Sequence, residues 1–129
     1  MIQKEEKQLL LVDLSARLPY GVKVQAYNYE HDVETIETLY AIDSDGYMST
    51  LECDTLDHIS KPYLFPLSSM TEEQKEEYCQ LQQKVLYNSK ELVNTDVMEY
   101  VNWCYKNHID INNLIPIGLA IDCTNLNIY

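Results

Sequence analysis

One segment most constrains the fold, because it separates two kinds of sequence pattern: K-P-Y-L-F-P-L-S-S-M-T-E-E-Q at residues 61–74. Pro62 and Pro66 each disfavour helix at the residue before them, so the chain between them is predicted to be extended. Thr71 and Gln74 then have the spacing of a capping box, a pattern typical of a helix start. We therefore predict a stiff connector that leads directly into a helix.

The chain before the connector predicts one helix and a small sheet. Leucines at helical spacing predict a helix over residues 3–17, and Pro19 and Gly21 end it. Alternation with a period of two then predicts half-buried strands. Asp45-Gly46 between the last two of them is a strong hairpin signal. We expect a three-stranded antiparallel meander, with strands over Val22–Tyr29, Glu34–Asp43 and Gly46–Cys53.

The chain after the connector is predicted to be mainly helical. One helix is expected over residues 72–88, and a second begins after Asn94 or Thr95. A short helical turn is expected over 110–117, followed by a last short strand or an extended tail. The positions predicted to face inward are Tyr78, Leu81, Val85 and Leu86 on the first helix and Val97, Met98, Val101, Cys104 and Tyr105 on the second.

These patterns together predict an α+β fold with an N-terminal helix, a three-stranded antiparallel β-meander and a helical C-terminal half. A length of 129 residues with 46% hydrophobic residues suits one domain with a sizeable core. We predict a single domain over 1–129. Within it, 1–60 carries the helix and meander, 61–70 is the connector, and 71–129 is mainly helical.

The charge balance limits the classes of partner. Nine Lys and Arg residues against 21 Asp and Glu residues give a net charge of −12. Such a chain repels phosphates, and its basic residues are spread singly, so direct nucleic-acid binding is disfavoured. The acidity suits solubility, a basic protein partner, or mimicry of nucleic acid.

Cysteine spacing and hydropathy predict a cytoplasmic protein. The four cysteines contain no C-x-x-C pair, so neither a zinc finger nor a redox motif is indicated. The N-terminal stretch lacks the shape of a signal peptide, and no run approaches the ~20 apolar residues of a membrane span. We therefore expect reduced and mostly buried thiols, and no membrane association.

No metal-binding or catalytic motif in the sequence points to a specific residue. The D-S-D-G turn with Glu52 resembles part of a calcium loop, but Ala41 stands where the first ligand belongs, which favours a plain hairpin turn. His31, His58 and His108 lack metal-ligand spacing, so solvated loop histidines are favoured over a metal or acid–base site. No phosphate-binding or nucleophile motif is present. We predict no catalytic, cofactor-binding or metal-binding residues and no enzyme.

Tyrosine is the most unusual feature of the composition: eleven Tyr stand beside one Phe and one Trp. Tyrosine tolerates partial exposure and is enriched at protein interfaces. In the second predicted strand, alternation places Ile36, Thr38, Tyr40 and Ile42 on one face. An uncovered sheet face would make the rings near the strands a contact patch, and the alternative is that they are amphipathic residues at the core edge. The candidate protein-contact residues are Tyr27, Tyr29, Tyr40, Tyr47 and Tyr63.

Three sequence blocks carry a resemblance to a known family: L-x-x-x-D-L-S-A-R-L-P-Y-G-V-K-V (9–24), K-P-Y-L-F-P-L-S-S-M-T-E-E-Q (61–74) and W-C-Y-K-N-H-I-D-I-N-N-L-I-P-I-G-L-A-I (103–121). Their order resembles that of small uncharacterised proteins from prophage-like or mobile regions of gut Bacteroidales genomes. The resemblance covers nearly the full chain. It implies a bacterial or phage cytosolic setting, and because the family has no assigned activity, it carries no residue role over to this chain. Phe65 stands where similar chains often have Arg.

The sequence as a whole predicts a non-enzymatic, acidic protein-interaction module of phage or mobile-element origin. Its expected partner is a protein, in particular a basic one, and homo-oligomerisation is left open. One alternative is a nucleic-acid mimic that inhibits a host DNA-binding protein, which requires carboxylates arrayed in two rows. Another is a small metal-dependent or hydrolytic enzyme whose site carries no recognised motif.

Overall fold

A computed structural model describes residues 4–28, 33–43, 48–50, 61–87 and 94–129. The fold is α+β, with an N-terminal helix, a three-stranded antiparallel sheet in the order β1-β2-β3, and helices in the C-terminal half, as predicted. A second, two-stranded sheet pairs β4 with β5 in parallel. The elements are α1 (Lys4–Arg17), β1 (Lys23–Asn28), β2 (Val33–Ile42), β3 (Met48–Thr50), β4 (Tyr63–Leu64), α2 (Glu72–Tyr87), α3 (Asn94–Lys106) and β5 (Ile121–Asp122).

Helix α1 ends where the sequence predicts. A short 3-10 turn with Pro19 follows Arg17, and Gly21 closes it with φ at +72°. Residues with a Cβ disfavour this left-handed conformation, so glycine suits the position. The helix buries Leu10 and Leu14 completely, which fixes one face of α1 against the core.

The meander contains an irregularity that changes the predicted face of β2. Pairing of β2 with β3 shifts register between Leu39 and Ala41, as in a β-bulge. An extra residue reverses the alternation beyond it. Ile36 and Tyr40 are exposed, whereas Ile42, predicted to share their face, lies beyond the irregularity and packs against the core. The predicted Asp45-Gly46 hairpin turn and its calcium alternative lie outside the described residues.

The connector is hydrogen-bonded on both sides. Lys61 O accepts from the backbone N–H of Gln25 in β1 at 2.9 Å. On the other side, Pro62 O accepts from Ile121 N at 2.8 Å, and Phe65 N donates to His108 O at 2.8 Å. The connector therefore joins the edge of the meander to the chain that follows α3.

The capping box forms at the start of α2. The backbone N–H of Gln74 donates to Thr71 Oγ1 at 3.1 Å, and the backbone N–H of Thr71 donates to Gln74 Oε1 at 3.0 Å. These bonds satisfy two groups that a helix start otherwise leaves unpaired. Helix α2 then packs against α3 through Leu81, which is buried.

Two residues predicted to face inward are exposed. Leu86 is 66% exposed and Met98 is 60% exposed, so their predicted burial is wrong. At ~100° per residue, Leu86 lies about 140° around α2 from the buried Leu81. Met98 lies about 120° around α3 from the buried Cys104 by the same geometry.

The segment 110–117 forms turns rather than the predicted helical turn. The Asp110 carboxylate accepts from the backbone N–H groups of Leu114 at 2.8 Å and Ile115 at 2.9 Å. Asn113 adopts a left-handed φ of 56°, which interrupts helical geometry. An aspartate turn therefore replaces the helix.

The hydrophobic core draws on both halves of the chain. Apolar residues of α1 and all three meander strands meet the connector and the segment after α3. Leu114 and Leu119 of that segment are almost fully buried, so the last part of the chain completes the core around the sheet. The central members are Leu10, Leu14, Val24, Leu39, Met48, Leu64, Leu114 and Leu119.

Candidate functional site

The side of the sheet turned away from the core is formed by alternate residues of β1 and β2. The register places Lys23 beside Thr38 and Gln25 beside Ile36. Lys23 Nζ donates to Thr38 Oγ1 at 3.0 Å. Tyr40 continues this row at 67% exposure, and Ile36 is 43% exposed. We call these residues, Lys23, Gln25, Ile36, Thr38 and Tyr40, the outer face.

The candidate tyrosines do not all share this surface. Tyr40 lies on the outer face, whereas Tyr63 in β4 is only 7% exposed. Burial, followed by the negative charge of Glu34, raises the pKa of the Tyr63 hydroxyl. Tyr29, Tyr47 and the side chain of Tyr27 lie outside the described part of the chain. Of the described pair, Tyr40 is therefore the ring available for contact.

The outer face has the chemistry of a contact surface. Tyr40 and Ile36 offer apolar area, while Lys23 and Thr38 are hydrogen-bonded to each other beside them. Exposed tyrosine combines a large apolar ring with a polar tip, the combination enriched at protein interfaces. The outer face therefore combines exposed apolar area with hydrogen-bonding groups.

A buried ion pair lies within α1, between Asp13 and Arg17. Arg17 Nε donates to Asp13 Oδ1 at 2.6 Å, and both side chains are fully buried. Arg17 Nη2 donates to Ile109 O at 2.6 Å. The guanidinium also lies 4.8 Å from the centre of the Tyr105 ring. These contacts tie α1 to the end of α3.

Asn112 extends this cluster from the segment after α3. Its Nδ2 donates to Asp13 Oδ2 at 2.8 Å and approaches the Tyr105 hydroxyl at 3.4 Å. Sequence reasoning missed the cluster, although Asp13 and Arg17 stand one helical turn apart beside the buried Leu14. With its charges paired and away from solvent, the cluster holds elements together.

His108 is buried, so its predicted role as a solvated loop histidine is wrong. Its ring stacks on Tyr129, with centroids 3.7 Å apart. Burial and the nearby positive charges of Arg17 and Lys23 lower the pKa of His108 to about 4. The imidazole is therefore neutral near pH 7. His31 and His58 lie outside the described residues.

Tyr129 connects the segment after α3 to two strands. Its hydroxyl accepts from the backbone N–H of Lys23 at 2.7 Å and donates to Tyr63 O at 2.8 Å. Burial raises the pKa of this hydroxyl. The neutral phenol that results can both accept and donate, which both bonds require.

The three described thiols are free. Cys104 and Cys123 are buried, as predicted for most of the cysteines, whereas Cys79 is exposed. Burial raises the pKa of Cys104 to about 11, against the lowering effect of Arg17. Burial and Asp122 raise the pKa of Cys123 to about 11. Since the thiolate is the reactive form, neither residue is suited to nucleophilic chemistry near neutral pH. Cys53 lies outside the described residues.

The part of the chain that the structure describes contains neither a metal-binding cluster nor a membrane-spanning helix. There, no group of three or more His, Cys, Asp or Glu side chains is placed to hold a metal ion. In that same part, no helix has both the length and the apolar content needed to cross a bilayer.

Comparison of the chain with protein-family models, with curated proteins and with solved structures finds no match.

Proposed function

We propose that this chain is a non-enzymatic, acidic protein-interaction module that binds a protein partner through the outer face. The observation that carries the proposal is the exposure of Tyr40 and Ile36, at 67% and 43%, on the central strand of the meander. A cytoplasmic setting and an origin in a phage or mobile element complete the proposal. Both rest on the sequence alone.

The energetics of the outer face support a contact role. Burying a large apolar side chain contributes about 1.5–3 kcal/mol, so Tyr40 and Ile36 can together anchor a small interface. Aromatic anchors surrounded by polar residues dominate the affinity of many interfaces. The net charge of −12 then favours a basic partner by accelerating encounter at low salt.

The test is a pull-down from nuclease-treated bacterial lysate with three tagged proteins. These are the wild type, the outer-face double variant Ile36→Ser/Tyr40→Ser, and Leu126→Ser as a control that removes an exposed apolar residue elsewhere. We expect one stoichiometric protein with the wild type and the control, depleted by more than about tenfold with the double variant. Recovery is expected to fall at high salt.

Two results contradict the proposal. Equal recovery of the partner by the double variant would remove the outer face as the contact surface. Displacement of the captured protein by added DNA would instead support the nucleic-acid mimic. Thermal unfolding of each variant checks that the fold is retained.

A further inference from the structure

A groove between α2 and α3 presents an indole next to carboxylates. Its volume is about 220 Å³, and it is open to solvent. Leu81 is the buried aliphatic residue of the lining, whereas Gln80 is exposed. We call it the α2–α3 groove, and its lining residues are Glu77, Gln80, Leu81, Lys84, Glu99 and Trp103.

The indole in this groove is held in a fixed orientation. Trp103 Nε1 donates to Glu77 Oε2 at 2.8 Å. The Tyr78 ring packs beside the indole, with centroids 6.1 Å apart and planes 44° apart. Tyr78 is itself held by a hydrogen bond from Tyr100 at 2.9 Å. A ring fixed in this way loses little conformational entropy when a ligand stacks on it.

The charges of the groove favour a cation. Glu77 and Glu99 contribute two carboxylates, and Lys84 contributes one ammonium. Lys84 Nζ stands 3.7 Å from Glu99 Oε1, and the two side chains are 52% and 54% exposed. An exposed pair at this distance is weak, so an incoming cation can displace the lysine at low cost.

We propose that the α2–α3 groove binds an arginine side chain of a protein partner. A guanidinium can stack on the indole while its N–H fork donates to the Glu99 carboxylate. The aliphatic stem of the arginine can lie along Leu81. A chain with a net charge of −12 also attracts arginine-bearing segments over longer distances.

Arginine fits the groove better than lysine does. Its planar group matches both the flat ring and the two oxygens of a carboxylate, whereas an ammonium is a strongly hydrated point charge. The α2–α3 groove and the outer face are built from different elements. Arginine binding in the groove can therefore be absent while partner binding at the outer face is present, and the reverse.

The groove carries its own reporter, because Trp103 is the only tryptophan in the chain. The purified full chain is titrated with a blocked glycine peptide that contains one arginine, and Trp103 fluorescence is recorded. Peptides with lysine or citrulline in place of arginine serve as ligand controls. We expect a saturable change with the arginine peptide, weakened by salt, at least about threefold weaker binding of the lysine peptide, and no saturation with citrulline.

Three variants, each of which replaces one charged residue by glutamine, show where the arginine peptide binds. Glu99→Gln is expected to weaken binding by about three- to tenfold, because the charged hydrogen bond is lost. Lys84→Gln is expected to tighten it by about two- to threefold, because the competing cation is gone. Glu73→Gln, on α2 outside the groove lining, is the matched control and is expected to leave the affinity unchanged. Ile36→Ser is likewise expected to have no effect.

Several outcomes overturn the proposal. They are an unsaturable signal with the arginine peptide at 10 mM or above (about 2.7 kcal/mol of binding free energy), equal binding of the lysine or citrulline peptide, and weaker binding by Lys84→Gln. An equal loss in Glu99→Gln and Glu73→Gln would show that only net charge matters, and would also overturn it. Loss of peptide binding with an intact pull-down, or the reverse, separates this inference from the proposed function.

Discussion

Asp13 and Arg17 show how one pair of residues can determine where a helix docks. Both side chains are fully buried, yet each makes a hydrogen bond beyond α1: Arg17 to Ile109 O and Asp13 to Asn112. Transfer of two charges from water costs several kcal/mol per ion, which the pairing and the added bonds offset. The pair therefore adds little net stability by itself, but the loss of one member is expected to lower the free energy of unfolding strongly.

We expect Asp13→Leu to lower the free energy of unfolding by about 3–5 kcal/mol, because it leaves the Arg17 charge buried without its carboxylate. The double variant Asp13→Leu/Arg17→Met removes both charges and is expected to recover most of that loss. Urea unfolding, followed by circular dichroism, measures all three proteins.

The matched control is the exposed pair of Lys75 and Glu72, whose side chains are 49% and 92% exposed. Lys75→Gln is expected to change the free energy of unfolding by less than about 1 kcal/mol. A single substitution at Asp13 with an equally small effect would show that the carboxylate does not compensate Arg17.

At the scale of elements, helix and strand positions followed from local chemistry. The capping box of Thr71 and Gln74 forms as its spacing predicts, and a period of two located β1 and β2. Local sequence signals gave a wrong prediction where a side chain changed the backbone conformation. The Asp110 carboxylate accepts hydrogen bonds from two backbone N–H groups, those of Leu114 and Ile115. These bonds stabilise a turn, so the apolar spacing of 110–117 did not produce a helix.

Which face of an element is buried was harder to predict than the element itself. The bulge near Tyr40 turns Ile42 into the core, and no residue type in β2 signals it. Tyr63 is buried because β4 is joined to β5, a pairing between residues distant in sequence. The α2–α3 groove arises in the same way, since Glu77 and Trp103 meet only when two helices pack.

The connector yields a prediction at this scale. Leu64 is fully buried, while Phe65 is half-buried and its ring centre lies 5.8 Å from that of Tyr129. We expect Leu64→Ala to lower the free energy of unfolding by about 2–5 kcal/mol, because it leaves a cavity in the core. Phe65→Ala is expected to cost less, and the double variant several kcal/mol.

Urea unfolding of these variants gives the comparison, with Leu67→Ala as a control at an exposed leucine of the same segment. A double variant as stable as the wild type would mean that the connector is a surface feature rather than a docking element. Its side chains would then be candidates for binding.

The whole molecule is held together by contacts that cross the connector. Arg17 of α1 reaches Ile109, β1 binds Lys61, and Tyr129 bridges β1 and β4. The core likewise combines residues from before and after the connector. Such long-range coupling favours a single cooperative unit in a chain of this size. Helix α2 packs mainly against α3, so its coupling to the rest of the molecule is the least direct.

We therefore expect urea unfolding to give the same midpoint by two probes that report on different parts of the molecule. Trp103 fluorescence follows the α2–α3 groove, while far-ultraviolet circular dichroism follows all helices and strands. Helix α3 buries Cys104 and holds Tyr105 against Arg17, so the groove is coupled to α1 and to the core. Coincident transitions are the two-state result. A fluorescence midpoint at lower urea would instead mean that α2 and α3 open as a separate unit while the sheet remains folded.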